Sequence, residues 1–339
     1  MPLIEFTRHG MYVAAAGVYI DPWHAVDRAI ITHAHSDHAR PGMGSYLCQV
    51  QSVPILQHRL GGSISVEGIP YGKVRVINGV KFSFHPAGHV IGSAQVRVEH
   101  KGEVWVASGD YKTADDGITP PFEAVRCNTF ITECTFGLPV YTWEPQRTIF
   151  SDIDAWWRAN AADGITSIIS AYSLGKAQRV IANVDRSIGP ILTHGAVEAC
   201  NTAIRAAGVV LPETIQLTQH TDKSVIKGAL VVAPGSAMGT PWANKLRPFR
   251  TASASGWMQI RGWRRRSGVD RGFPLSDHAD WPGLNGAVKA TGAERVIATH
   301  GYTHQFSRWL NEQGIQATTE ETAFTGDEAA TTTEPEETA

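Results

Sequence analysis

Short alternating runs dominate the first third of the chain. Lys73 to Ile77 and Val80 to His85 place apolar side chains at every second position, as half-buried strands do. Ser93 to Glu99 and Glu103 to Ser108 repeat the pattern, and Lys101-Gly102 between them predicts a hairpin turn. Arg28 to Thr32 reads as a buried strand running into a polar loop dense in histidine. After about residue 140 the period lengthens. Ile149, Ile153, Trp156 and Trp157 share a helical face that Gly164 ends. Ala177, Val180, Ile181 and Val184 form a second stripe, and Val197, Cys200, Ile204 and Ala207 a third. Ser167 to Tyr172 and Pro190 to His194 fall between these stripes as strands. Strands and helices alternating in this way predict parallel βαβ units, so an α/β domain is inserted into a β-first chain.

The expected segments are 1–139 for the first part of the host domain, 140–250 for the insertion and 251–317 for the returning part. In the last of these, Arg295 to Thr299 reads as a strand and His304 to Gln313 as a helix with Phe306 and Leu310 inward. Residues 318–339, rich in Thr, Glu and Ala, lack the apolar surface to pack and are expected to be a disordered acidic tail.

Composition narrows the function. With 339 residues and 42% apolar content, the chain can bury a sizeable core. Its net charge of −2 means that any contact with a polyanion comes from a local patch rather than a global field. No apolar run reaches the length of a membrane span, and the N-terminus lacks a signal-peptide pattern, so no membrane role is expected. Cys48, Cys127, Cys134 and Cys200 are scattered without metal-ligand spacing. They read as thiols of a reducing compartment, the cytoplasm.

The 14 histidines are the informative excess. His33-Ala34-His35-Ser36-Asp37-His38 puts four metal-capable side chains within six residues, directly after a strand. Packing does not ask for this, whereas a loop fixed by a strand end can converge such groups on one point. Imidazole and carboxylate suit zinc and manganese, both Lewis acids for phosphoryl oxygen. His89 in Pro86-Ala87-Gly88-His89, Asp110 in Ser108-Gly109-Asp110-Tyr111, and His300 in Thr299-His300-Gly301 each stand at a strand end beside glycine. That is the placement expected for a site along one edge of a sheet sandwich.

This set resembles the metallo-β-lactamase superfamily, with Asp21 at a strand end as a further match. The resemblance implies an αββα sandwich holding two divalent metal ions, zinc or manganese. It implies that His33, His35 and His89 hold one ion, that Asp37, His38 and His300 hold the other, and that Asp110 bridges them. Asp21 would orient the ligand loop without touching metal. Asp37 and Asp110 count as catalytic through the ions they hold. Glu133 in Thr132-Glu133-Cys134-Thr135-Phe136-Gly137, and His278 in Ser276-Asp277-His278-Ala279-Asp280-Trp281, resemble the β-CASP subgroup, which acts on nucleic acid and carries an α/β insertion. There His278 would protonate the departing oxygen and Glu133 would hold its imidazole.

Tyr19-Ile20-Asp21-Pro22-Trp23, Tyr172 to Gln178, and Ser255-Gly256-Trp257-Met258 followed by Arg264-Arg265-Arg266 look like the bacterial DNA-ligase-associated exonuclease family. The likeness implies a DNA exonuclease in repair, DNA favoured over RNA, with a DNA ligase or helicase as functional partner. Candidate phosphate contacts are Lys176 at a helix N-terminus, Ser236 in the turn Ala233 to Gly239, and the fork-forming Arg264, Arg265 and Arg266. The rival readings are a ribonuclease of the same subgroup, a small-molecule metallo-hydrolase and a non-catalytic nucleic-acid-binding subunit. Glu133 and His278 argue against the second, and the full ligand set against the third.

Overall fold

A computed structural model describes residues 2–322. The chain divides into two compact units, the first from Met1–Asp115, Thr119–Thr142 and His278–Ala339, the second from Asp116–Ile118 and Trp143–Asp277.

Two sheets form the first unit. One has six strands, Glu5–Thr7, Gly10–Val13, Val18–Ile20, Arg28–Ile30, Ser45–Gln49 and Val66–Ile69, in that order. The other has seven, ordered Gln316–Thr319, Arg295–Gly301, Thr129–Cys134, Glu103–Ala107, Ala94–His100, Val80–Pro86 and Arg75–Ile77. Alternation along each strand decides what lies on which face. Trp105, Ala107 and Ile131 join Phe82, Phe84, Val96 and Val98 in one core with Val13, Ile20, Ile30 and Leu47 of the other sheet. Val106, Phe130, Val296 and Ala298 point the opposite way, against Leu284 and Val288 of helix Trp281–Thr291 and Phe306 and Leu310 of helix Thr303–Glu312. Helix Ser52–Leu60 covers strands Ser45–Gln49 and Val66–Ile69. The hairpin expected at Lys101-Gly102 is there: His100 pairs with Glu103, and both turn residues have positive φ, +50° and +83°, as a two-residue primed turn requires.

The second unit is an all-parallel sheet of six strands among the described residues, ordered Ile215–Gln216, Ile191–Thr193, Leu230–Ala233, Thr166–Ser170, Phe249–Ala254 and Arg271–Phe273. Ile169, Val232 and Ala252 on one face pack on the apolar stripes of helices Gln146–Ala162 and Lys176–Asn183. Ile168 and Val231 on the other pack with Leu217 and Leu246. Burial on both faces explains why these strands read as continuous apolar runs.

Two expected boundaries shift. Residues 251–277 belong to the second unit, because Phe249–Ala254 and Arg271–Phe273 pair with its sheet, so the boundary drawn at 250 falls inside that unit. Order also passes residue 318, because Gln316–Thr319 hydrogen-bonds to Arg295–Ala298 as an edge strand. The remainder of the expected acidic tail, 323–339, lies outside the described residues. Among the described residues no helix is long and apolar enough to cross a membrane.

Candidate metal centre

Every candidate ligand sits at the C-terminal end of a strand in the first unit or in the loop after it. The strand Arg28–Ile30 delivers the His33–His38 loop, Val80–Pro86 delivers His89, Glu103–Ala107 delivers Asp110, and Arg295–Gly301 carries His300 near its end. Backbone constraints then fix the loops. Gly88, with φ +74°, lies so close to the Lys112 carbonyl that a Cβ there would strike it. The pairing of Thr129–Cys134 with Arg295–Gly301 jumps from Glu133↔Thr299 to Cys134↔Gly301. His300 is the extra residue, at φ +55°, and the bulge turns its side chain out of the ladder. Gly301 completes the turn at φ +83°, where an added Cβ would strike the Cys134 carbonyl and the Thr135 backbone. Gly301→Ala is therefore expected to destabilise the protein by more than about 1 kcal/mol, measured as a lower urea midpoint at unchanged slope.

The structure brings the N-terminal ligands together. His33 Nε2 and His89 Nε2 lie 3.2 and 3.1 Å from His35 Nδ1. Asp110 Oδ2 stands 3.6 Å from the first and 3.8 Å from the second. Nitrogens about 2.0–2.1 Å from a tetrahedral zinc would be separated by roughly 3.3 Å, so the spacing fits one cation. A second set, His33, Asp37 and His38, is equally compact, with all ligand atoms within 4.8 Å of one another. His38 Nε2 is buried without a hydrogen-bond partner, 3.5 Å from Asp110 Oδ1 and 3.7 Å from Asp37 Oδ2. A lone imidazole nitrogen facing two carboxylates in a closed space is what a cation would satisfy.

His300 stands differently from expectation. It is not in the compact set with Asp37 and His38, which His33 completes instead. Its ring stacks on that of His38 at 5.3 Å, and it lines a cavity with Asp37, His38, Asp21, Met11 and Trp23.

Electrostatics sort the histidines. Burial, then the neighbouring His38, holds the His33 pKa well below its ordinary value. Burial and His38 also lower His300. Both shifts favour the neutral imidazole, the form that can bind a metal. His38 differs: burial opposes its charged form, but Asp110, Asp37 and Asp21 outweigh that and raise its pKa well above the ordinary value. Burial likewise opposes the Asp110 carboxylate, yet His38, His278 and His33 keep its pKa well below the carboxylate range.

Asp21 lies beneath the ligand loop. Its Oδ1 accepts from Thr32 N at 2.8 Å, and its Oδ2 accepts from the Thr32 hydroxyl at 2.6 Å and from His38 Nδ1 at 2.7 Å. Asp21 therefore sets the orientation of the His38 ring. Asp21→Ala is expected to weaken metal affinity about 10- to 100-fold, read by chelator competition. Unchanged affinity would leave Asp21 a purely structural residue.

Glu133 and His278 form a buried pair in the same unit. His278 Nδ1 donates to the Glu133 carboxylate at 2.9 Å. Glu133 also accepts from Tyr111 N at 2.8 Å and from the Thr135 hydroxyl. The His278 ring lies 4.7 Å from that of His89. Asp110, Glu133 and His278 bring ligand atoms within 4.8 Å of one another. This pair abuts the cluster without being needed to fill it.

The candidate phosphate contacts scatter within the second unit. Ser236 is exposed on the turn Gly235–Ala237 after strand Leu230–Ala233. Arg264, Arg265 and Arg266 are exposed on helix Arg261–Arg266. Lys176 is only 2% exposed. It does open helix Lys176–Asn183, but its Nζ lies 3.6 Å from Asp277 Oδ2 and over the Tyr172 ring, a position committed to a carboxylate. Two buried residues carry no role that the sequence alone suggests: Asp277, and Arg179, whose Nη1 reaches Asp277 Oδ1. The SDHAD run could draw attention to Asp277, but nothing local marks Arg179.

No protein-family model matches the chain. It is 29% identical over 312 residues to the probable DNA ligase of Opitutus terrae, covering 91% of this chain and 30% of that protein. It is 28% identical over 125 residues to endoribonuclease YSH1 of Saccharomyces cerevisiae, and 26% over 167 residues to that of Gibberella zeae, covering 15% and 20% of those proteins. The chain thus spans under a third of the length of these relatives. Among solved structures, a protein of unknown function from Enterococcus faecalis V583 shares the fold, with TM-score 0.59 and 10% identity over 88% of this chain and 79% of that one. Taken with the motifs, these relatives support placing the chain beside the β-CASP metallo-β-lactamase nucleases.

Proposed function

We propose that this chain is a two-metal phosphodiesterase that removes nucleotides from DNA ends, on a metallo-β-lactamase sandwich with the second unit as its β-CASP insertion. The observation that carries the reading is a carboxylate-held imidazole, His278 on Glu133, set against the His and Asp cluster. His33, His35, His89 and Asp110 would hold one ion. Asp37, His38 and Asp110, with His300 on the adjoining ring stack, would hold the other. Zinc or manganese so bound would supply a nucleophile at neutral pH and stabilise charge on the phosphoryl oxygens.

The chain's own residues do the rest. With Nδ1–H bonded to Glu133, His278 presents its other nitrogen as the proton carrier. As the P–O bond breaks, that nitrogen gives its proton to the departing oxygen. Exposed Arg264, Arg265 and Arg266, with Ser236, would bind the strand by its phosphates. Lys176, buried on Asp277, would act from within the fold rather than as a phosphate ligand. DNA would be the substrate and a ligase or helicase the functional partner; one relative over nearly all of this chain is a probable DNA ligase. Four cysteine thiols suit a reducing, cytoplasmic setting.

The YSH1 relatives favour a second reading, cleavage of RNA. A ladder on DNA and RNA of matched sequence, labelled at one end, in zinc and in manganese, separates the two. Stepwise loss of nucleotides from DNA is the expected result. Faster RNA cleavage, or internal cuts, would replace the reading.

A further inference from the structure

We propose that Arg179 is a positioning residue for His278, acting through the two residues that precede it. The inference rests on His278 being the proton donor proposed above. Arg179 is 3% exposed. Its Nε donates to Gln146 Oε1 at 2.6 Å, and its Nη1 donates to the Ser276 carbonyl oxygen and lies 3.4 Å from Asp277 Oδ1. Lys176 Nζ faces the other oxygen of Asp277 at 3.6 Å. Asp116, also buried, adds its carboxylate field at Arg179. Arg179 and Lys176 are thus both buried against Asp277, all within the second unit.

Such a set is an expensive way to hold a helix against a loop. Apolar side chains of equal volume would do so at no desolvation cost. What the guanidinium provides is a rigid fork, with donors in fixed directions to three acceptors at once. Two of those acceptors are the main chain of Ser276 and the side chain of Asp277, so the fork fixes the chain immediately before His278. On the other side, Ala279 N donates to the Tyr111 carbonyl at 2.7 Å, and Asp280 caps helix Trp281–Thr291 through Gly283 N at 2.9 Å. The imidazole itself is held by Glu133. Arg179 thus fixes the chain as far as Asp277, the residue bonded to His278. A proton donor misplaced by about 1 Å can lose on the order of 10²-fold in rate, so this restraint bears on chemistry.

Arg179→Lys tests it, because lysine keeps the charge and loses the fork. The probes are an oligonucleotide of the cleaved type and the same oligonucleotide with sulfur replacing the departing oxygen, which leaves as thiolate without a proton. On the oxygen substrate, Arg179→Lys is expected to lower kcat about tenfold or more at unchanged KM. On the sulfur substrate the loss is expected to stay within about twofold, since general-acid help is not needed there. Equal slowing of both substrates, or of neither, would overturn the inference. If Arg179→Lys does not fold, Asp277→Asn takes its place, since it loses the charge that the fork grips at nearly constant shape. The same selective loss on the oxygen substrate then supports the role, and equal slowing or none overturns it. His278→Ala is the reference. If it also fails to discriminate oxygen from sulfur, the proton-donor reading falls. If it discriminates and the Arg179 and Asp277 variants do not, only the positioning role falls.

Discussion

Asp110→Ala is expected to abolish cleavage and to lower bound metal from two ions per chain to at most one. Asp110 is 6% exposed, and its two oxygens face different partners. Oδ1 lies 3.5 Å from His38 Nε2, while Oδ2 lies 3.6 and 3.8 Å from the His33 and His89 nitrogens. Asp110 thus faces both His38 and the His33 and His89 nitrogens, so its loss takes a carboxylate oxygen from each side. Even outer partners of metal ligands cost about 10- to 100-fold when removed, so a shared ligand should cost more than about 10²-fold in turnover. Elemental analysis of the dialysed protein and the cleavage ladder check the two halves separately. Retention of both ions with half the activity would remove Asp110 from the bridge. Asp37→Ala should fall short of this, because Asp37 meets only the His38 side.

His278→Ala separates chemistry from binding. Turnover on an oxygen-leaving substrate should fall about 10²- to 10⁴-fold, a rise of about 3–5 kcal/mol in barrier. Metal content should stay unchanged, because the compact sets built on His33, His35, His89 and His38 do not include it. Metal lost with the imidazole would make His278 a ligand, with Asp110 and Glu133 as its companions.

Much of this centre is legible along the chain because its residues come in dense or punctuated runs. His33 to His38 betray themselves by number, and His89, Asp110 and His300 by standing where an apolar run meets glycine. The βαβ block is legible because strands buried on both faces, such as Leu230–Ala233, lose polar alternation, while helix stripes keep their period. The end of that block is not, because Arg271–Phe273 is three residues long and follows an arginine-rich helix, which leaves no apolar period to read. Lys176 shows the sharper failure. A lysine opening a helix after glycine reads as solvated and ready for phosphate. Its acceptor, Asp277, lies about a hundred residues further on. Buried ion pairs of that reach leave no periodicity, so Arg179 is silent for the same reason. His300 is legible as a ligand candidate, but its partners depend on a bulge that only strand register reveals.

The strand Thr129–Cys134 pairs on one side with Glu103–Ala107 and on the other with Arg295–Gly301, a neighbour made some 160 residues later. During synthesis the early ligands, His33 to Asp110, emerge long before His278 and His300. The sheet that carries the candidate ligands is therefore closed only after the whole second unit has been made, so its completion waits on the last part of the chain to emerge.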